Sequence, residues 1–259
     1  MNYKLIKEKI CTIIPERPIV GIILGSGLDV FTSIIKEKII ISYSSFSDFP
    51  QTSTKGHVGE WVFGYVNQKP IMVANGRFHY YEGFSLEQVT STVSIIHELG
   101  CNNLIITNAA GCLNLKWNIG DFMLIKGYLD YTFRNNSELS KIKSCENTNL
   151  HGKIIKKLEG KGISINEGYY AWTLGPSYET HAEIQDLISN NISAVGMSTV
   201  PELMKADKLG MNVMGVSCLT NYGAGLLKKP LTHEEILQVT NKYRNKFLLI
   251  INEILKYYN

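Results

Sequence analysis

The sequence predicts an α/β fold built on one mainly parallel or mixed sheet with helices on both faces. Three observations lead there. Short, continuous apolar runs of strand length recur along the 259 residues. Segments with apolar residues at helical spacing lie between several of them. The ends of the runs carry polar or glycine-rich residues, where ligands collect in such sheets.

The chain opens with "MNYKLIKEKICTIIPERP", an amphipathic helical pattern stopped by Pro15 and Pro18. Ile19–Leu24 is a buried-strand run that ends in "GSGL". "WVFGYV" and "PIMVA" predict a hairpin around Asn67–Lys69, and Ser85–Gly100 predicts a helix with a glycine stop. "NLIITNAAG", "DFMLIKGYLD", "EGYYAWTLG", "SAVGM" and "NVMGVSCLTN" are further interior strands. Helical patterns occupy "ETHAEIQDLISN", "VPELMKADKLG" and the long terminal stretch from Thr232 to Tyr258. No repeat or low-complexity linker divides the chain, so residues 1–259 form a single domain in this reading.

Composition narrows the function. A net charge of +3 without a Lys/Arg cluster argues against nucleic acid as partner. No apolar stretch reaches membrane-spanning length, and no secretory leader precedes the first helix. Five cysteines without close pairs point to reduced thiols in the cytoplasm and to no zinc site.

The strand ends supply anion donors from separated segments. Ser26 lies in a glycine turn where a strand is expected to enter a helix, a geometry that binds anions through backbone N–H groups. In "GRFHYYEG", Arg77 and His79 share a face if extended, and Arg offers a planar fork to phosphate oxygens. Glu82 is either an ordinary ion-pair partner or a group that orients one of them. "TNAAG" exposes backbone at Asn108 and Ala109, and Ser198 precedes a helix whose first turn holds Pro201 and Glu202. His57, between Gly56 and Gly59, is by itself an ordinary loop histidine. The donors point to a free oxyanion such as inorganic phosphate, with neither metal-ligand spacing nor a nucleophile triad.

Seven segments in order, "ILGSGL", "GHVGEWVFG", "GRFHYYEG", "TNAAG", "GPSYET", "AVGMSTVPE" and "TNYGAG", closely resemble the trimeric type of purine nucleoside phosphorylase. The resemblance implies a nucleoside phosphorylase-like sandwich whose central mixed sheet is partly closed into a barrel and flanked by helices. It implies a phosphate site of Ser26, His57, Arg77, His79, Ala109 and Ser198. Tyr81, Tyr178, Met197 and His233 match the residues around the sugar, and Glu179 and Asn221 the pair that recognises the purine. The catalytic set so implied is His57, His79, Glu179 and Asn221, with no metal and no cofactor, phosphate being a co-substrate. The expected enzyme is a cytoplasmic homotrimer that cleaves inosine and guanosine, a pentosyltransferase of purine salvage.

Two alternatives remain at this stage. A methylthioadenosine phosphorylase is disfavoured because that relative places an acidic residue where Asn221 stands. A non-catalytic nucleoside-binding protein is disfavoured by the complete phosphate set. The chain also departs from the family: Cys112 replaces a usual glycine, Asn75 a common glutamine, and residues 131–152 are shorter than the usual loop. That segment lacks the stretch that brings an aromatic into the neighbouring subunit's site, which leaves Tyr131 or Phe133 as the nearest aromatic to wall the sugar.

Overall fold

The computed structural model describes residues 1–52, 58–134, 141–145, 148–227 and 233–258. Ten strands form one sheet: β1 (Val20–Ile23), β2 (Lys36–Ser42), β3 (Glu60–Val66), β4 (Lys69–Asn75), β5 (Asn103–Cys112), β6 (Phe122–Asp130), β7 (Lys143–Ser144), β8 (Asn166–Trp172), β9 (Ile192–Gly196) and β10 (Asn212–Tyr222). The helices are α1 (Tyr3–Cys11), α2 (Leu86–Val89), α3 (Ser91–Glu98), α4 (Thr148–Glu159), α5 (His181–Ser189), α6 (Val200–Lys208), α7 (His233–Lys242) and α8 (Arg244–Leu255).

The order β10-β6-β8-β9-β5-β1-β4-β3-β2, with β10 also paired to β5, closes β5, β10, β6, β8 and β9 into a barrel. β1, β4, β3 and β2 continue from β5 as an open wing, and β7 pairs with β6. Pairing is mixed: β1 runs parallel to β4 and β5, whereas β3 is antiparallel to β2 and β4.

The period of two along the strands explains why the apolar runs are continuous. In β1 and the residue after it, Val20, Ile22 and Leu24 face a cluster with Ile154 and Leu158 of α4 and Phe247 and Ile251 of α8. Ile23 faces the opposite cluster, with Ile10 of α1, Val93 of α3 and Leu203 of α6. Both faces are covered, so every position must be apolar. The expected hairpin forms with Val66 opposite Lys69, and Asn67 and Gln68 take φ of 52° and 65°. Positive φ at both central residues matches the right-handed twist of the strands.

Several expectations change. The helix over Ser85–Gly100 is two helices that meet at Thr90, whose Oγ1 donates to the Leu86 carbonyl at 2.8 Å. The terminal helix likewise divides at Tyr243. The first helix stops at Cys11, ahead of the prolines. After β1 there is no α-helix but a 3₁₀ segment, Asp29–Ile34, so Ser26 sits in a turn without a long helix dipole behind it. Asn108–Gly111 and Thr220-Asn221 do not follow their strands but lie within β5 and β10.

Candidate active site

One cavity of about 650 Å³ opens where β1, β4, β5, β9 and β10 end. Ser26, Arg77, His79, Tyr81, Ala109, Tyr178, Glu179, Met197, Ser198 and Asn221 all line it. Six separated stretches of chain thus converge on one space. His57 and the side chain of His233 lie outside the described residues. Among the described residues no group of three or more His, Cys, Asp or Glu side chains stands ready to hold a metal.

Arg77 is tied into the protein beside the cavity. Its guanidinium is 1% exposed, and its fork is engaged by a partner within the protein. Nε donates to Glu202 Oε1 at 3.2 Å, and Nη2 lies 3.0 Å from Oε2. Nη1 donates to the Thr107 carbonyl at 2.7 Å and to Ser198 Oγ at 3.2 Å. Three of the five N–H donors that a guanidinium carries are thus engaged within the protein, and Nη2 is buried beside Glu202. Burial pushes the Glu202 carboxyl up, and the adjacent Arg77 works against that. Two buried opposite charges so placed hold each other in position.

Ser198 is set by an unusual backbone. Thr199 has φ 78° and ψ −49°, and the Val200 N–H donates to the Ser198 carbonyl at 2.9 Å, a γ-turn centred on a β-branched residue. Such a conformation costs roughly 1–3 kcal/mol and persists only where the surroundings impose it. Here Asn108 Nδ2 donates to Thr199 Oγ1 at 3.0 Å, and the Tyr170 hydroxyl donates to the Ser198 carbonyl at 3.2 Å. The turn directs Ser198 at Arg77 and at the cavity.

His79 is oriented by Glu82, whose Oε1 lies 3.2 Å from Nδ1 and accepts from the His79 backbone N–H at 2.8 Å. A carboxylate at Nδ1 holds the neutral ring in the tautomer that carries its proton there. The ring stacks on Tyr81 at 4.8 Å. Gly175 leaves room for Met197 and Tyr81: a Cβ there would come within 2.5 Å of Met197 Sδ and 2.9 Å of Tyr81 Cδ1.

Asn221 owes its place to a bulge. The β5–β10 register runs to Leu219 opposite Ala110 and resumes with Asn221 opposite Gly111, leaving Thr220 as the extra residue. A bulge re-aims the side chains that follow it. Asn221 Nδ2 donates to the Tyr222 carbonyl at 3.0 Å, and its Oδ1 accepts from Thr220 Oγ1 at 3.0 Å, which together fix the amide's orientation. A Cβ on Gly111 would stand 3.3 Å from Nδ2, so the strand is bare where the amide passes.

The substitutions against the family pattern are absorbed locally. Asn75 Nδ2 donates to Glu60 Oε1 at 2.9 Å, and Cys112 is buried at the end of β5 with its thiol pushed up to about 11. Tyr131 does not line the cavity. Its ring packs with Leu129, Ile184 and Leu187, and its hydroxyl donates to Asp186 Oδ2 at 2.8 Å. Phe133 is 63% exposed and does not line the cavity. Tyr131→Phe is expected to cost about 1–2 kcal/mol in a thermal melt, with nucleoside KM unchanged.

A family model described as the phosphorylase superfamily matches residues 19–256. Purine nucleoside phosphorylase 1 of Bacillus subtilis is 37% identical over 258 residues, covering 95% of this chain and 94% of its own. The mouse purine nucleoside phosphorylase is 37% identical over 79% of this chain and 76% of its own. The chain belongs to the purine nucleoside phosphorylase family of that superfamily. Membership makes it an enzyme of the glycosyl-transferring class. The family's fold is shared too: a Schistosoma purine nucleoside phosphorylase solved with hypoxanthine superposes with a TM-score of 0.89 at 29% identity, over 99% of this chain and 96% of that one.

Glu202, Thr173, Thr199 and Thr220 are the residues that sequence reading did not place in the site. Glu202 carried one signal, an acidic residue in the first turn of a helix beside Ser198. Thr199 and Thr220 carried only their place beside Ser198 and Asn221 in polar strand-end motifs, and Thr173 carried none.

Proposed function

We propose that the chain catalyses the reversible, phosphate-dependent cleavage of 6-oxopurine ribo- and deoxyribonucleosides, inosine and guanosine among them, to free base and (deoxy)ribose 1-phosphate. The observation that carries this is the single cavity that joins two chemistries. Anion donors at Ser26, Arg77, His79, Ala109 and Ser198 share it with the Glu179–Asn221 pair. Schistosoma relatives have been solved with inosine and with guanosine, and one with adenosine, so the base preference rests on this pair rather than on kinship.

In this reading Glu179 accepts from the purine N1–H, a proton that adenine lacks. The second Nδ2 hydrogen of Asn221 donates to N7 or the 6-oxo oxygen and takes up charge on the departing base. Cleavage builds oxocarbenium-like charge on the ribose, as in other glycosyl transfers. A phosphate held beneath C1′ stabilises that charge and then forms the new C1′–O bond, with the bonding electrons of the glycosidic bond leaving on the purine. The work is positioning and electrostatics, with no covalent enzyme intermediate. Tyr81, Met197 and Tyr178 flank the sugar, and His57 and His233 belong to the same proposal. A homotrimer in the cytoplasm completes the reading, and light scattering tests the assembly.

The experiment is a nucleoside panel assayed with and without phosphate. Inosine and guanosine are expected to turn over only with phosphate, yielding the 1-phosphate sugar, and undiminished turnover without it refutes the proposal.

A further inference from the structure

Glu179 lies on the connection between β8 and α5, where no strand ladder fixes it. Its carboxylate is held from outside that connection's turn. Thr173, the residue after β8, is buried, and its backbone N–H donates to the Gly196 carbonyl at 3.0 Å, anchoring it to β9. Its Oγ1 lies 2.8 Å from Glu179 Oε1 and 3.5 Å from the Gly196 carbonyl. A hydroxyl has one proton to give, and the shorter, charge-assisted contact takes it.

We propose that Thr173 is a positioning residue for base recognition, whose hydroxyl holds the Glu179 carboxylate in the rotamer that accepts from a purine N1–H. This rests on the 6-oxopurine reading given above. Thr173 does not line the cavity, so it acts through Glu179 and touches no substrate. A carboxylate has about four lone-pair sites. One donation to Oε1 leaves Oε2 and the remaining pair of Oε1 for the base. The same bond favours the ionised form that recognition needs. Burial pushes the Glu179 carboxyl up, and Thr173, together with the residue's own backbone N–H, works in the other direction. Glu183 of α5 adds to the upward push, which makes the Thr173 donation the side-chain contribution that opposes it.

The test compares Thr173→Val, which keeps the branched shape without the hydroxyl, with Thr173→Ser, which keeps the hydroxyl. For Thr173→Val, KM for inosine is expected to rise about tenfold, as the loss of a hydrogen bond to a charged group predicts. KM for phosphate should stay within about twofold of wild type. Thr173→Ser should bring the inosine KM back to within about threefold. If Thr173→Val does not fold, Thr173→Ala takes its place in the same comparison. An unchanged inosine KM in the hydroxyl-free variant, a Ser variant as impaired as it, or an equal rise in both KM values overturns the proposal. Failure of the wild-type enzyme to cleave inosine instead overturns the base reading on which it rests, so the two failures are told apart.

Discussion

Arg77→Ala is expected to raise KM for phosphate roughly 100-fold and to lower the melting temperature by roughly 10 °C. The first effect follows from the loss of a cationic donor, each charge-assisted contact contributing about 1.5–3 kcal/mol. The second follows from what remains. Glu202 is 1% exposed, and without Arg77 it is a buried carboxylate with no cation beside it. Breaking a buried pair from one side costs about 3–5 kcal/mol, and in a chain of this size each kcal/mol moves the midpoint by roughly 2–4 °C. The double exchange Arg77→Met with Glu202→Leu separates the two effects. Apolar replacement of both partners is often neutral for stability, so the melting temperature should return most of the way while phosphate affinity stays lost. Thermal melts and phosphate saturation curves read both quantities. A double variant that recovers phosphate affinity, or an Arg77→Ala enzyme with wild-type KM, removes Arg77 from the anion site.

The same pair shows what a sequence reveals and what it does not. Arg77 is legible as a candidate because it shares a strand face with His79, where its planar fork can meet an anion. Its partner lies 125 residues away and had no local mark beyond its place in a helix's first turn. Contacts of that kind are set by topology, here by the closure of β5 to β10 and the docking of α6 against the sheet. The interior strands β1, β5 and β10 were legible because burial on both faces forces continuous apolar runs. Edge strand β2 was not, since "KEK" opens it and most of its positions are exposed. The two helix divisions, at Thr90 and Tyr243, keep the apolar period on both sides, so periodicity could not locate them. At the site, the motif residues were readable and their supports were not. The bulge at Thr220 and the γ-turn at Thr199 are backbone events without a composition signal.

Asn221→Asp is expected to lower the ratio of kcat/KM for inosine over adenosine by about 100-fold. In the proposed reading an amide at this position donates to the 6-oxo oxygen or N7, whereas a carboxylate would repel the oxygen and accept from a 6-amino group. Sites that leave a buried polar group mismatched discriminate strongly, because the unpaired group retains its full desolvation cost. The structure adds a second cost that the base-pairing argument alone does not contain. Asn221 Nδ2 donates to the Tyr222 carbonyl at 3.0 Å, so an unprotonated Asp oxygen in that place faces another acceptor. The Thr220 hydroxyl, already donating to Oδ1, supports only one of the two oxygens. The variant should therefore lose turnover on both nucleosides, with inosine falling much further, and should melt lower by a few degrees. Asn221→Ala gives the reference, since it removes the donor without introducing a repelling charge. Its loss on inosine should be smaller than that of Asp, and its adenosine rate should not rise. A ratio that stays constant in Asn221→Asp, measured from initial rates at saturating phosphate, takes base selection away from this residue and leaves it with Glu179 alone.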